Sequence, residues 1–225
     1  MLRLFRFSAF ALVLVTQPEA AYVPARLRDG KVPPIPVNAV GGGEVRLELD
    51  VSTDGVVTRV TPLRTTPPFT ELVTTAVREW KFFSARAVVN GDAARSGTPI
   101  ARAAVPATVL VVGMFRPPAL NDPTLGEAPK DLASGSDAMP SPTATTMPPY
   151  PPRAFGGGVV LLEARVNAIG SVEDVGVIAS APPFDEVARD TVRKWHFRPA
   201  KVQGIPVPAL VYVIAGFRAP VTSKH

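Results

Sequence analysis

Residues 44–51 read Glu-Val-Arg-Leu-Glu-Leu-Asp-Val, an unbroken alternation of polar and apolar positions. A period of two places every second side chain on one face of an extended chain, so Val45, Leu47, Leu49 and Val51 form the inward face of a half-buried strand. Asp54-Gly55 is a strong hairpin-turn signal, and Val56, Val57 and Val60 carry a second strand back. After Pro67-Pro68, which suits a helix start, the period changes. Phe69, Leu72, Val73, Ala76, Val77 and Trp80 fall three and four apart, one apolar helical stripe that must pack on the inward face of the hairpin. Residues 107–112 are then almost wholly apolar and rich in Val. Such a run predicts a strand buried on one face and covered by something on the other as well.

The same pattern returns. Gly41-Gly42-Gly43 recurs as Gly156-Gly157-Gly158, Pro67-Pro68-Phe69 as Pro182-Pro183-Phe184, Trp80 as Trp195 and Phe82 as Phe197, each 115 positions later. Between residues 33–86 and their counterparts roughly 23 of 54 positions are identical, far above chance. The first copy carries about 13 extra residues around Asn90 to Arg102. The register then recovers, with Val105-Pro106-Ala107 matching Val207-Pro208-Ala209. In the second copy Val160, Leu162, Ala164 and Val166 face inward, Phe184, Val187, Ala188, Val192 and Trp195 repeat the helical stripe, and residues 210–215 repeat the apolar strand. Pro199 is expected to stop the second helix.

These elements predict an α+β fold of two like domains, each a three-stranded antiparallel sheet with one main helix in the order β-β-α-β. The expected boundaries are residues 33–116 and 149–219. Residues 117–148 between them are rich in Pro, Ser, Thr, Ala, Asp and Gly, a composition that reads as an extended linker without a core. The closing strand of each domain is expected at a sheet edge, where its backbone groups are free to pair.

Composition narrows the function. The chain has 225 residues, 46% of them hydrophobic, and a net charge of +5 without a basic run of the kind that tracks nucleic acid. It has no cysteine, so thiolate metal sites and cysteine nucleophiles are excluded. Arg3 and Arg6 followed by the short apolar stretch 7–15 and the more polar 16–21 form the pattern of a secretory signal, expected over residues 1–21. An uncleaved N-terminal tether is the other reading of that segment. Export to the periplasm or cell envelope follows from either.

Candidate chemistry is sparse. Trp80 and Trp195 are expected in the core. The triple glycines lack the Lys-Ser/Thr of a phosphate loop. His196 has no second imidazole, acid or serine at ligand or triad spacing, so no metal, cofactor or catalytic residue is expected and the protein is read as no enzyme. Glu48 and Glu163, matched across the repeat on outward faces of their strands, either pair with neighbouring charges or are solvated, and solvation is the expected state.

The second repeat resembles the C-terminal domain of the TonB family, periplasmic energy transducers. Pro149-Tyr150-Pro151-Pro152-Arg153-Ala154 resembles the family's Pro-x-Tyr-Pro-x-x-Ala opening, in which Tyr150 and Pro151 are the marker residues. Gly158-Val159-Val160 resembles its first strand. Trp195-His196-Phe197-Arg198-Pro199-Ala200 resembles its Trp-x-Phe-x-Pro-Ala ending. The first copy is a looser match: Ile35 stands in place of the tyrosine. The resemblance implies a protein-binding role in which the last strand takes up an extended peptide of an envelope or outer-membrane protein by strand addition. It points to Leu210, Val211, Tyr212, Val213 and Ile214, with Val109, Leu110 and Val111 as their counterparts. Self-association through the same edges, a membrane-tethered transducer, and a closed unit in which the two domains bind each other are the other readings.

Overall fold

The computed structural model describes residues 22–36, 39, 41–88, 102–118 and 130–220. The proposed signal at 1–21 and most of the 13-residue insertion lie outside the described residues. Two short strands, β1 (Tyr22–Val23) and β2 (Arg26–Asp29), lead into the hairpin β3 (Gly43–Val51) and β4 (Val57–Thr65), helix α1 (Phe69–Arg78), and strands β5 (Lys81–Phe83), β6 (Ala85–Val88), β7 (Arg102–Val105) and β8 (Ala107–Phe115). Strands β9 (Lys130–Asp131) and β10 (Ser141–Ala144) precede a second run: β11 (Gly158–Val166), β12 (Val172–Ala179), α2 (Asp185–Val192), β13 (His196–Arg198), β14 (Ala200–Val202), β15 (Ile205–Val207) and β16 (Ala209–Phe217).

The predicted β-β-α-β order holds in each half. The two halves do not stand apart. Seven strands form one sheet in the order β12-β11-β16-β8-β3-β4-β9. Each half contributes a three-stranded antiparallel set, and the sets join through β8 and β16, which run parallel from Val211 opposite Leu110 to Gly216 opposite Phe115.

This junction determines where the cores lie. Successive residues of a strand point to opposite faces. Val109 and Val111 of β8, with Leu210, Tyr212 and Ile214 of β16, pack with Phe69, Val73 and Val77 of α1. Leu110, Val112 and Met114, with Val211, Val213, Ala215 and Phe217, pack with Ala188 and Val192 of α2. The helices therefore sit on opposite faces, and the halves are related by a half-turn about an axis along the strands. Each helix covers its own hairpin and also the back of the other half's closing strand. All nine residues of β16 are buried as a result. The second cover that an all-apolar strand requires is the other half.

Aromatic stacking repeats the relation, with Phe69 on Phe115 at 4.2 Å and Phe184 on Phe217 at 4.6 Å. Glycine makes room for the Phe115 ring. A Cβ added at Gly113 would lie 2.8 Å from it, and one at Gly216 2.7 Å. A larger residue at either strand position would push the ring off Phe69.

Three local expectations need correction. The helices end at Arg78 and Val192, so both tryptophans lie beyond them, and residues after each form short strands. The second helix stops before Pro199 is reached, because Trp195 turns into the core and Phe197 N–H donates to the Gly170 carbonyl, as Phe82 N–H does to Gly55. The segment expected as a bare linker is partly laid on the body. Arg64 pairs with Asp131 and Thr65 with Lys130, while Met139 is buried against Leu63 in the α2-side core. Its low apolar content does not prevent this, since backbone pairing carries most of the attachment.

Lead-in arms complete the repeat. Arg26 pairs with Phe83 and Leu27 with Phe82; Ser141 pairs with Arg198 and Pro142 with Phe197, again 115 positions on. Trp80 donates its indole N–H to the Lys31 carbonyl at 3.0 Å, and Trp195 to Thr146 at 3.2 Å. Besides filling the core, each tryptophan pins the arm that precedes its own hairpin.

One shared sheet makes unfolding of the halves a single event. Trp80→Phe and Trp195→Phe variants each leave one indole, in one of the two cores. Their fluorescence melting curves should coincide with each other's circular-dichroism curves; transitions separated by several degrees would show independent domains.

Candidate protein-binding surface

The residues expected to form a docking edge are interior. Leu210, Val211, Tyr212, Val213 and Ile214 pair with β11 on one side, and Val211 to Ile214 pair with β8 on the other. Val109, Leu110 and Val111 pair with β3, with Leu110 and Val111 also held by β16. The expected edge placement is thus corrected: two apolar closing strands of equal length satisfy each other's backbone groups, which is the reading of two halves binding each other. No peptide can add to these strands while they are paired.

Tyr212 is the one polar side chain in the junction. Its ring is fully buried and meets Trp80 at 6.0 Å and Phe82 at 5.8 Å, both edge-on. Its hydroxyl accepts from Leu27 N–H at 2.7 Å and donates to Glu163 Oε2 at 3.1 Å. Arg26 Nε donates to the same carboxylate at 3.2 Å. Burial above all, with the Glu163 charge adding to it, drives the Tyr212 pKa far above its ordinary 10.0.

Glu163 is therefore not a solvated surface acid. It holds the first half's arm against the second half's strand. Glu48, its counterpart in the repeat, accepts from Ser136 N–H at 2.6 Å and so holds the second half's arm against the first half's strand. Two matched carboxylates make one reciprocal clasp. The sequence signal was their recurrence at equivalent positions amid solvent-facing residues.

At the end of the junction Arg218 binds the Arg116 carbonyl at 3.0 Å and the Gly41 carbonyl, and its guanidinium lies 5.3 Å from the Phe69 ring centre. Arg116 N–H donates to Gly216 O at 2.9 Å, and Arg116 Nη1 reaches Pro148 O at 3.4 Å. Both arginines thus tie one half to the other.

The marker residues Tyr150 and Pro151 lie in the second arm. Tyr150 donates to Gly156 O at 2.8 Å and its ring lies 5.6 Å from Phe184, so it braces the approach to β11. Pro151 and Pro149 line a shallow groove against α2 with Glu186, Asp190 and Lys194; its counterpart against α1, about 800 Å³, is lined by Pro34, Pro36, Leu72 and Ala76. His196 is exposed on β13 and is not brought to Glu163. Among the described residues no group of three or more His, Cys, Asp or Glu is placed to hold a metal, and no helix is long and apolar enough to cross a membrane.

Residues 147–218 match the family model described as Gram-negative bacterial TonB protein C-terminal. The match spans about a third of the chain and one copy of the repeat, from the Pro-Tyr-Pro marker to the end of β16. That family is a non-catalytic transport family of the periplasm and envelope, and its C-terminal domain binds outer-membrane receptors that carry a TonB box. No curated protein matches the chain.

Removing the Tyr212 hydroxyl leaves the Leu27 amide without its acceptor. Tyr212→Phe should cost about 1–3 kcal/mol in chemical denaturation near neutral pH. In the parent protein the raised Tyr212 pKa means that stability is fully present below pH 10 and falls as pH rises beyond it, because only the unfolded chain ionises readily. The variant should lose that part of the alkaline decline; an unchanged alkaline slope would contradict the assignment.

Proposed function

We propose that this protein is an exported envelope module that binds other proteins in connection with TonB-dependent transport, and that its mode of binding is the addition of an extended peptide to its sheet. The TonB C-terminal match over residues 147–218 carries this reading. The first half, outside that match, is assigned the same ancestry on its internal repeat and its shared strand order. In this reading the two closing strands guard one another. Each is the strand that the family resemblance designates for a peptide, and each is occupied in cis by its counterpart, which answers the aggregation hazard of an apolar edge.

A second reading has its own support. The complete burial of β16 and the two clasps favour a closed unit whose closing strands never part, with partners meeting other surfaces. The reading as a membrane-tethered energy transducer depends on residues 1–21 and is tested by fractionation of the mature protein.

Deleting the protein should slow uptake through at least one TonB-dependent receptor, with recovery on re-expression. Uptake unchanged across all such receptors, together with no receptor cross-linked to the protein in intact envelopes, would overturn the proposal. Hydrogen exchange separates the two modes. If a receptor peptide displaces β8, amides of Val109–Val111 exchange faster while those of Leu210–Ile214 stay slow; if the unit is closed, neither set responds.

A further inference from the structure

With the closing strands paired, the sheet ends at β12 on one side and at β9 on the other. These two rims are equivalent by the repeat, since β4 and β12 occupy the same place in their halves. They are not equally occupied. The rim of β4 is taken by the chain itself: Lys130 and Asp131 add antiparallel to Thr65 and Arg64, Leu132 N–H donates to Leu63 O at 2.8 Å, and Asp131 forms an ion pair with Arg64 at 3.4 Å. The corresponding positions at the end of β12, Ile178 and Ala179, and Ser180 after it carry no such strand among the described residues. Among the described residues nothing pairs with the outer side of β12.

The exposed side chains of β12 fall into an apolar group and an acidic group. Val177 and Ile178 are large apolar residues left 37% and 43% exposed. Glu173 and Asp174 are exposed, and among the described residues neither side chain has an ion pair or hydrogen bond, whereas on the β4 rim the Arg59 side chain is paired with Asp50 at 2.6 Å. Between the two groups lies Gly176, where an added Cβ would meet nothing within 4 Å. A glycine inside a strand marks a place where another backbone can come close. On the β4 rim Thr61 holds the place of Gly176, and Pro62, the counterpart of Val177, removes one donor from the ladder.

We infer that the outer edge of β12 is a docking site for an extended partner peptide, entered antiparallel, that carries apolar residues followed three and four positions later by basic ones. The direction is the one Lys130–Asp131 takes on the equivalent rim. An antiparallel peptide passes Ile178 and Val177 first and Asp174 and Glu173 last, so apolar residues come first in its sequence and Lys or Arg after them. Phe155, shortly before β11 begins, is 93% exposed. This inference rests on the strand-addition reading above and relocates its contact from the closing strands to the rim.

The test uses the full mature chain and two fluorescein-labelled decapeptides of alternating Thr and Val, one ending in Lys-Lys and one in Glu-Glu. The Lys-Lys peptide should bind, and should slow amide exchange in Val172–Ala179 without touching Leu210–Ile214. The Glu-Glu peptide should bind at least about ten-fold more weakly. Glu173→Lys/Asp174→Lys, at two exposed positions whose side chains belong to neither core, should reverse that preference. Equal binding of both peptides, no reversal in the variant, or protection confined to the closing strands would each overturn the inference. Concentration-dependent dimerisation through β12, seen by sedimentation and blocked in the variant, would assign the edge to a second copy and overturn it too. Protection of the closing strands alone would leave strand addition standing while removing its place on β12. Loss of the uptake phenotype would remove the transport reading while leaving the peptide measurements intact.

Discussion

Two nine-residue apolar strands lie side by side and parallel at the centre of this protein, and the rest of the architecture answers to them. A strand apolar on both faces requires two covers, and its backbone requires two neighbours. One β-β-α-β half has a single helix and a single hairpin, so it provides one of each. A second half, turned over about the strand direction, provides the other. Parallel pairing of β8 with β16 meets both needs at once and sends the helices to opposite faces.

That constraint changes what the binding surface can be. A lone half would end in an exposed apolar strand ready to take up a peptide or to aggregate. Here the exposed strand is moved inward, and the hairpin strands β4 and β12 become the rims. One rim is capped by a two-residue piece of the connecting segment, and on the other no described strand pairs. The clasps built on Glu48 and Glu163 work in the same direction, because each fixes one half's arm onto the other half's strand. Parting the closing strands would break both clasps and uncover both cores, so the paired state is the one that any partner meets first.

Much of each half was legible in its residues. The alternation at 44–51, the Asp54-Gly55 turn, the three-and-four spacing from Phe69, and the apolar runs at 107–112 and 210–215 all mark elements that the structure contains, since each is set by local periodicity. The helix ends are not legible, because Trp80 and Trp195 continue the apolar spacing while their side chains serve the core from beyond the last helical turn. The arms at 26–29 and 141–144 were not legible. They hold on through backbone pairing and a tryptophan indole, neither of which leaves an apolar pattern. The partner of the closing strand was half legible: its sequence demanded a second cover, but periodicity does not say whether that cover is a stranger or the other half. The pairing joins residues about a hundred positions apart, and no local signal encodes it. Glu48 and Glu163 are legible as a matched pair but not as clasps, because their partners come from those unmarked arms.

The most direct measurement is the set of interstrand proton–proton contacts in the folded chain. Parallel pairing predicts nuclear Overhauser contacts between backbone amides and α-protons linking Val211–Gly216 to Leu110–Phe115 in the register Val213 opposite Val112. A spectrum with β11 contacts intact but none between these two strands would mean that the closing strands stand apart, and the account built on their pairing would fail.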